Sequence, residues 1–158
     1  MTSEDWGAVR TIYVAGIATG QATFETETPT WTAWNKAHLR APRLVAIEDD
    51  MIVGWGALSP VSKRAVYAGV AEVSIYVGEN VRGRGVGSLL LKTLVTQSEN
   101  RGIWTLQASI FPENAGSISL HKSCGFREVG TRHRIGKLRG VWRDTVLFER
   151  RNEAVGRD

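Results

Sequence analysis

The stretch from Ala71 to Leu91, AEVSIYVGENVRGRGVGSLLL, limits what this chain can fold into more than any other. An apolar run that alternates like a strand, Ala71 to Val77, leads into a turn holding two arginines and three glycines, Arg82-Gly83-Arg84-Gly85-Val86-Gly87-Ser88, and a leucine-rich helix follows. A strand that feeds a helix through such a turn points several backbone N–H groups and the positive end of the helix dipole at one spot, so it can cradle a phosphate. The stretch reads as a cofactor site, and the rest of the chain as what surrounds it.

The known glycine motifs are separated by single residues. A Walker A loop ends in Gly-Lys-Ser or Gly-Lys-Thr, which is absent here. The dinucleotide fingerprint spaces its glycines GxGxxG, whereas this turn reads GxGxG, and no acidic residue follows about twenty positions later to hold a ribose. An RGG-type RNA-binding tract would be a disordered repeat, not one copy between a strand and a helix. A plain strand-to-helix turn seldom needs three alternating glycines and two arginines. What remains is a pyrophosphate loop, Arg82-x-x-Gly85-x-Gly87.

The net charge of +4 fits a polyphosphate cofactor and is too small and dispersed to argue for nucleic acid. The single Cys124 and three scattered histidines offer no intrachain disulfide and no metal-ligand cluster. The longest apolar runs are far short of a membrane span, and MTSEDWGAV lacks the regions of a signal peptide, so a cytoplasmic protein is expected. With 158 residues, 42% of them hydrophobic, one domain over 1–158 is expected, with only Asn152 to Asp158 reading as disordered.

In chain order, Trp6, Val9, Ile12, Tyr13 and Ile17 predict a helix capped by Thr2-Ser3-Glu4-Asp5, and Thr28-Pro29 opens a second one through Trp31, Trp34 and Leu39. The loop between them, with Phe24, can overhang a pocket. Leu44 to Ile47 and Met51 to Leu58 read as a hairpin about Glu48-Asp49-Asp50, and Ser59 to Gly69 as a basic loop. After the central strand and helix come a strand over 104–110, a short helix from Ala115 to Gly125, a strand over 126–135, a basic turn over Gly136 to Gly140, and a closing strand over 141–149. The order α-α-β-β-β-α-β-α-β-β predicts a mixed α/β (α+β) domain with helices against one largely antiparallel sheet.

A second signature lies downstream: Asn114, Ser117, His121, Gly125 and Phe126 stand at offsets 0, 3, 7, 11 and 12. With the Arg82-x-x-Gly85-x-Gly87 loop after a strand, this pattern resembles the GNAT N-acetyltransferase superfamily. Ala71-Glu72-Val73-Ser74-Ile75-Tyr76-Val77, Ser119-Leu120-His121 and Gly140-Val141-Trp142-Arg143-Asp144 narrow the resemblance to the phosphinothricin N-acetyltransferase branch, which includes methionine sulfoximine and sulfone acetyltransferases and arsinothricin enzymes. It spans about Trp6 to Arg150 and implies the GNAT fold, with helices on both faces of the sheet. It departs at the front, where the family's first strand has almost no counterpart, so either the sheet lacks that edge strand or the start lies late.

The resemblance implies an acetyl-CoA-dependent N-acetyltransferase acting on a small amino acid-like amine, working as a homodimer. Acetyl transfer needs a neutral amine, a stabilised oxyanion and a proton for the departing thiolate. Glu72 can take the ammonium proton directly or through water and matches the branch's proposed base. His121 lies where many members place a tyrosine thought to protonate the CoA sulfur, and imidazole can donate or relay a proton near pH 7. The resemblance assigns Ile75, Tyr76 and Val77 to the pantetheine strand and Arg82, Gly83, Arg84, Gly85, Val86, Gly87 and Ser88 to the pyrophosphate. It places Asn114 and Ser117 on the pantetheine arm and Phe24, Glu25, Arg64, Tyr67 and Glu72 at the substrate. Ala68 follows Tyr67 where some relatives carry an arginine, which sets this chain's anion recognition apart. An acetyltransferase of another amine, such as a protein N-terminus or polyamine, and a non-catalytic acyl-CoA-binding module are the competing readings.

Overall fold

A computed structural model describes residues 1–156 and gives, in chain order, α1 (Trp6–Ala18), α2 (Trp31–Ala37), β1 (Arg43–Glu48), β2 (Met51–Pro60), β3 (Val70–Val77), α3 (Val86–Glu99), β4 (Thr105–Ile110), α4 (Ala115–Ser123), β5 (Arg127–Leu138) and β6 (Val141–Arg151). Single 3-10 turns lie at Ala65–Tyr67 and Glu79–Val81. The strands form one sheet in the order β1-β2-β3-β4-β6-β5, and only β3 and β4 run parallel. No strand precedes α1 among the described residues. No helix among them is long and apolar enough to cross a membrane.

Strand alternation divides the core into two layers. Leu44, Leu58, Ala71, Val73, Ile75, Leu106, Ala108, Val146 and Phe148 face Leu91, Leu94 and Val95 of α3 together with Ile118 and Leu120 of α4. Val45, Trp55, Ala57 and Tyr76 face Val9, Tyr13 and Ile17 of α1 and Trp34 of α2. Helices therefore cover both faces. Gly16 makes the second layer possible, because a Cβ there would stand 2.7 Å from the Tyr76 ring.

Three local expectations are corrected. Asp5 stands at the N-cap position but its side chain does not cap α1: the carboxylate accepts from the backbone N–H of Thr2 at 2.6 Å, four residues before the first helical residue. The turn expected over Gly136 to Gly140 is narrower, since pairing with β6 carries β5 to Leu138 and leaves Arg139 and Gly140, with φ of 49° and 83°, as a two-residue hairpin turn. The disorder expected from Asn152 is not seen through residue 156: Arg151 Nη1 donates to the carbonyls of Asn152 and Val155, and Asn152 Oδ1 accepts from the N–H groups of Ala154 and Val155. Arg157 and Asp158, the last residues of that expectation and of the expected 1–158 domain, lie outside the described residues.

β5 carries one irregularity that matters below. Between the pairs Arg132↔Thr145 and Gly136↔Arg143, three β5 residues oppose one on β6. That single residue, Asp144, holds the bulge by accepting from the Arg134 N–H at 2.7 Å and from His133 Nδ1 at 2.9 Å.

Candidate active site

The site arises where the parallel pair of β3 and β4 comes apart. β3 and β4 pair at Val70↔Thr105, Ala71↔Leu106 and Glu72↔Gln107, and the ladder ends there although both strands continue. β3 keeps its antiparallel bonding to β2 through Val77, so its other edge is unpaired over the last five residues. Two cavities fill the opening. A smaller one, about 200 Å³, lies at the Glu72 end, and a larger one, about 880 Å³, lies at the glycine turn. They share Ala22, Tyr76, Asn114 and Ser117 as walls, so they adjoin along the unpaired edge of β3. At about 3.3 Å per strand residue, Glu72 and Val77 stand about 16 Å apart along β3.

The larger cavity is lined by Val77, Arg82, Gly83, Gly85, Gly87 and Ser88, and by Asn114 and Ser117 of the second motif. Gly85 caps α3 with φ of 87°, a left-handed conformation that favours glycine. Its carbonyl accepts from the Leu89 N–H, so the N–H groups of Val86, Gly87 and Ser88 have no acceptor within the helix. Free N–H groups at a 14-residue helix start suit an anion. Arg82 borders this cavity, but Arg84 does not: its guanidinium turns to Glu48, with hydrogen bonds of 3.1 and 2.7 Å to the two carboxylate oxygens. Val86 is likewise outside the lining and packs toward Gly54 of β2.

The smaller cavity brings together Phe24, Glu72, Ser74, Ile75, Tyr76, Ser109, Asn114, Ser117, His121 and Thr145 among others. Glu72 Oε2 accepts from Gln107 Nε2 at 2.9 Å, which fixes the carboxylate at the apex of the splay. Tyr76 stacks on Trp55 at 4.7 Å and meets Tyr13 at 4.8 Å. Burial and the neighbouring Tyr13 push its hydroxyl well above the usual tyrosine range, so it stays protonated as a donor. Asn114 caps α4 by accepting from the Ser117 N–H at 3.1 Å and donates from Nδ2 to the Gln21 carbonyl at 3.1 Å.

His121 is 3% exposed. Its Nδ1 lies 2.8 Å from the Ser117 carbonyl, which can only accept, so Nδ1 carries the proton and Nε2 presents a buried lone pair without a partner. Burial lowers its pKa from the ordinary 6.5, only partly offset by the Ser117 carbonyl. Neutral His121 thus presents an acceptor at Nε2 in the smaller cavity. Stability is linked to this. The unfolded chain binds a proton below pH 6.5 while the folded one resists it at His121 and, for the same reason, at His38. Stability therefore falls as pH drops below 6.5 toward the depressed folded values, well above the range where Glu99, Glu113 and Asp144 titrate. Urea midpoints at pH 7.5 and 5.5 are expected to differ less in His121→Gln than in the unsubstituted protein; an equal difference would remove His121 as a contributor.

Not every expected substrate residue reaches the cleft. Arg64 and Tyr67 are exposed beside the 3-10 turn, with the guanidinium 5.6 Å from the Tyr67 ring, and line neither cavity. Glu25 is exposed and outside both linings, although its charge helps raise the pKa of Tyr13, behind the larger effect of burial. Phe24 does reach the cleft, edge-on to Phe111 at 4.9 Å. Residues missed by sequence reading hold this wall. Arg143 donates to the Gly20 carbonyl, to Gln21 Oε1 and to Glu113 Oε2 at 3.0 to 3.1 Å, with its guanidinium 4.2 Å from the Phe111 ring. It thereby ties the loop after α1 to the turn before α4. Gln107 and Ser109 left a signal, as polar residues alternating with apolar ones in Thr105-Leu106-Gln107-Ala108-Ser109-Ile110; Arg143 stood in a stretch that carries the resemblance, but nothing pointed to its contact with Gly20, more than 120 residues earlier.

The profile of the acetyltransferase (GNAT) family matches residues 5–126. The chain is similar to the phosphinothricin N-acetyltransferase of Alcaligenes faecalis, with 33% identity over 93% of this chain and 78% of that protein. It is similar to the L-methionine sulfoximine/L-methionine sulfone acetyltransferase of Pseudomonas paraeruginosa, with 28% identity over 74% of this chain and 70% of that protein. The crystal structure of a GNAT superfamily phosphinothricin acetyltransferase from Sinorhizobium meliloti in complex with AcCoA superposes with a TM-score of 0.85 at 26% identity, covering 100% of this chain and 94% of that one.

Proposed function

Starting from the fact that this chain belongs to the acetyltransferase (GNAT) family and uses acetyl-CoA, we propose that it acetylates the amino group of a small amino acid such as phosphinothricin or L-methionine sulfone, with Glu72 as base. The observation that carries this reading is the splay of β3 from β4 at Glu72↔Gln107, which opens two adjoining cavities, with a carboxylate at the narrow end and a glycine turn at the wide end. The volume of the wide end falls among those of cofactor-sized pockets. Its free helix N–H groups and the unpaired edge of β3 fit a pyrophosphate and an amide-bearing arm.

Bound acetyl-CoA supplies the acetyl thioester; the remaining work falls to the chain. Arg82, Gly83, Gly85 and the free N–H groups of Val86, Gly87 and Ser88 would hold the pyrophosphate, with Ile75 to Val77, Asn114 and Ser117 along the arm, while Arg84, turned to Glu48, belongs to this reading only through the family resemblance. Glu72, steadied by Gln107, takes the ammonium proton directly or through a water, which frees the amine lone pair. Tyr76, protonated and on the wall common to both cavities, is a hydrogen-bond donor at their junction. Nε2 of His121 accepts or relays a proton. Phe24 and Phe111 form one wall of the smaller cavity, with Arg143 against Phe111. Glu25, Arg64 and Tyr67 belong to this reading only through the family resemblance. A single catalytic domain and a cytoplasmic location rest on the length and composition of the chain, and a homodimer rests on the family resemblance, for which exposed Ile135, Val141 and Trp142 offer an apolar surface.

The test is a thiol-release assay with acetyl-CoA and a panel containing phosphinothricin, L-methionine sulfoximine, L-methionine sulfone, a polyamine and a peptide N-terminus. Turnover confined to the amino acid analogues is expected. Preference for the polyamine or peptide would move the substrate class, and cofactor binding without any CoA release would replace the enzyme by a binding module.

A further inference from the structure

A row of polar side chains crosses four strands on the sheet face that carries Glu72. Gln107 and Ser109 of β4 share this face, Ser109 stands opposite Leu147 of β6, Thr145 lies two residues from Leu147, and Arg132 of β5 pairs with Thr145. The Arg132 guanidinium donates from Nη2 to Ser109 Oγ at 2.5 Å, while its Nε–H is buried without a partner. Thr145 is 2% exposed and its hydroxyl is also buried without a partner. Ser109 and Thr145 line the small cavity, as Glu72 does. No carboxylate among the described residues pairs with Arg132. Arg132 is also the last paired residue before the β5 bulge that Asp144 holds, a device that re-aims side chains.

A buried hydroxyl without a partner is rare in folded proteins, and an acceptor brought by a ligand into the small cavity completes that of Thr145. The small cavity has no lysine or arginine in its lining, and Arg143 beside Phe111 is paired with Glu113, so unpaired positive charge comes to it from behind, through Arg132 against Ser109. We propose that Arg132, with Ser109 and Thr145, is the specificity-determining end of the amine cavity and receives the carboxylate of an α-amino acid. The carboxylate meets the two hydroxyls with the guanidinium charge behind them, and the amino group is directed toward Glu72. This rests on the acetyltransferase reading of the same cavity. A site built to hydrogen-bond a group rejects the analogue that lacks it, so amines without a carboxylate are poor substrates.

The experiment compares kcat/KM for L-methionine sulfone and for its α-carboxamide. Using the same pair in every variant cancels their difference in amine basicity. Arg132→Gln is expected to lower the acid-over-amide preference by ~10- to 100-fold, the scale of one charge-assisted buried contact, chiefly through KM for the acid. Arg132→Lys should restore part of the preference, and Thr145→Val should lower it without changing charge. Those two variants decide the matter if Arg132→Gln does not fold. Equal losses for acid and amide, or no preference in the unsubstituted enzyme, would overturn the proposal. If no amine is acetylated at all, the acetyl-transfer reading fails instead. Calorimetric binding of the same pair to the unsubstituted protein and Arg132→Gln then reads the preference, and equal affinities would sink it.

Discussion

Glu72→Gln is expected to lower kcat by ~10²- to 10⁴-fold, the usual contribution of a positioned general base, while acetyl-CoA binds as before. The substitution is nearly isosteric, and an amide oxygen can still accept from Gln107 Nε2, so the apex of the splay keeps its shape. What is lost is the capacity to take a proton from the ammonium. Residual activity should therefore climb with pH, as the amine's own deprotonation supplies the nucleophile. Calorimetry of acetyl-CoA and a pH-rate profile measure the two halves. Turnover near that of the unsubstituted enzyme would remove Glu72 as base.

Gly87→Asp is expected to weaken acetyl-CoA binding by on the order of 10²- to 10³-fold, because facing like charges cost several kcal/mol. Gly87 lies in the first turn of α3 on the wall of the large cavity, where a Cβ would stand 3.1 Å from Leu120 Cδ2 and 3.6 Å from Val77 Cγ2. The helix itself accepts an aspartate in its first turn, since the macrodipole favours negative charge there. Fold and affinity therefore separate: the thermal midpoint should change little while the dissociation constant rises steeply. Normal affinity in a folded Gly87→Asp would place the pyrophosphate elsewhere.

Legibility in the sequence followed the range of the contacts. The glycine turn and the Asn114 to Ser117 end of the second motif are local, and they meet in the large cavity because each sits at the start of one helix. Glu72 was legible as an acid on an apolar strand. Arg84 was read correctly as part of the turn but not by direction, since its partner Glu48 lies 36 residues earlier. Arg64 and Tyr67 were expected at the substrate from resemblance alone, and the chain leaves them in solvent beside a 3-10 turn. The hairpin turn was expected too wide because Gly136 looked like its first residue. Pairing with Arg143 keeps Gly136 in the strand.

The sequence by itself determined the order of elements, the two helix starts that line the large cavity and the acid on the central strand, because each depends on spacing within a dozen residues. Only the tertiary structure decided that β3 and β4 part at Glu72, that Arg143 binds the loop after α1 to the turn before α4, and that Arg132 and Thr145 stand on the same sheet face as Glu72. These depend on strand register and on side chains meeting from distant segments. No local pattern encodes them, since a one-residue change of register would turn Arg132 and Thr145 to the opposite face.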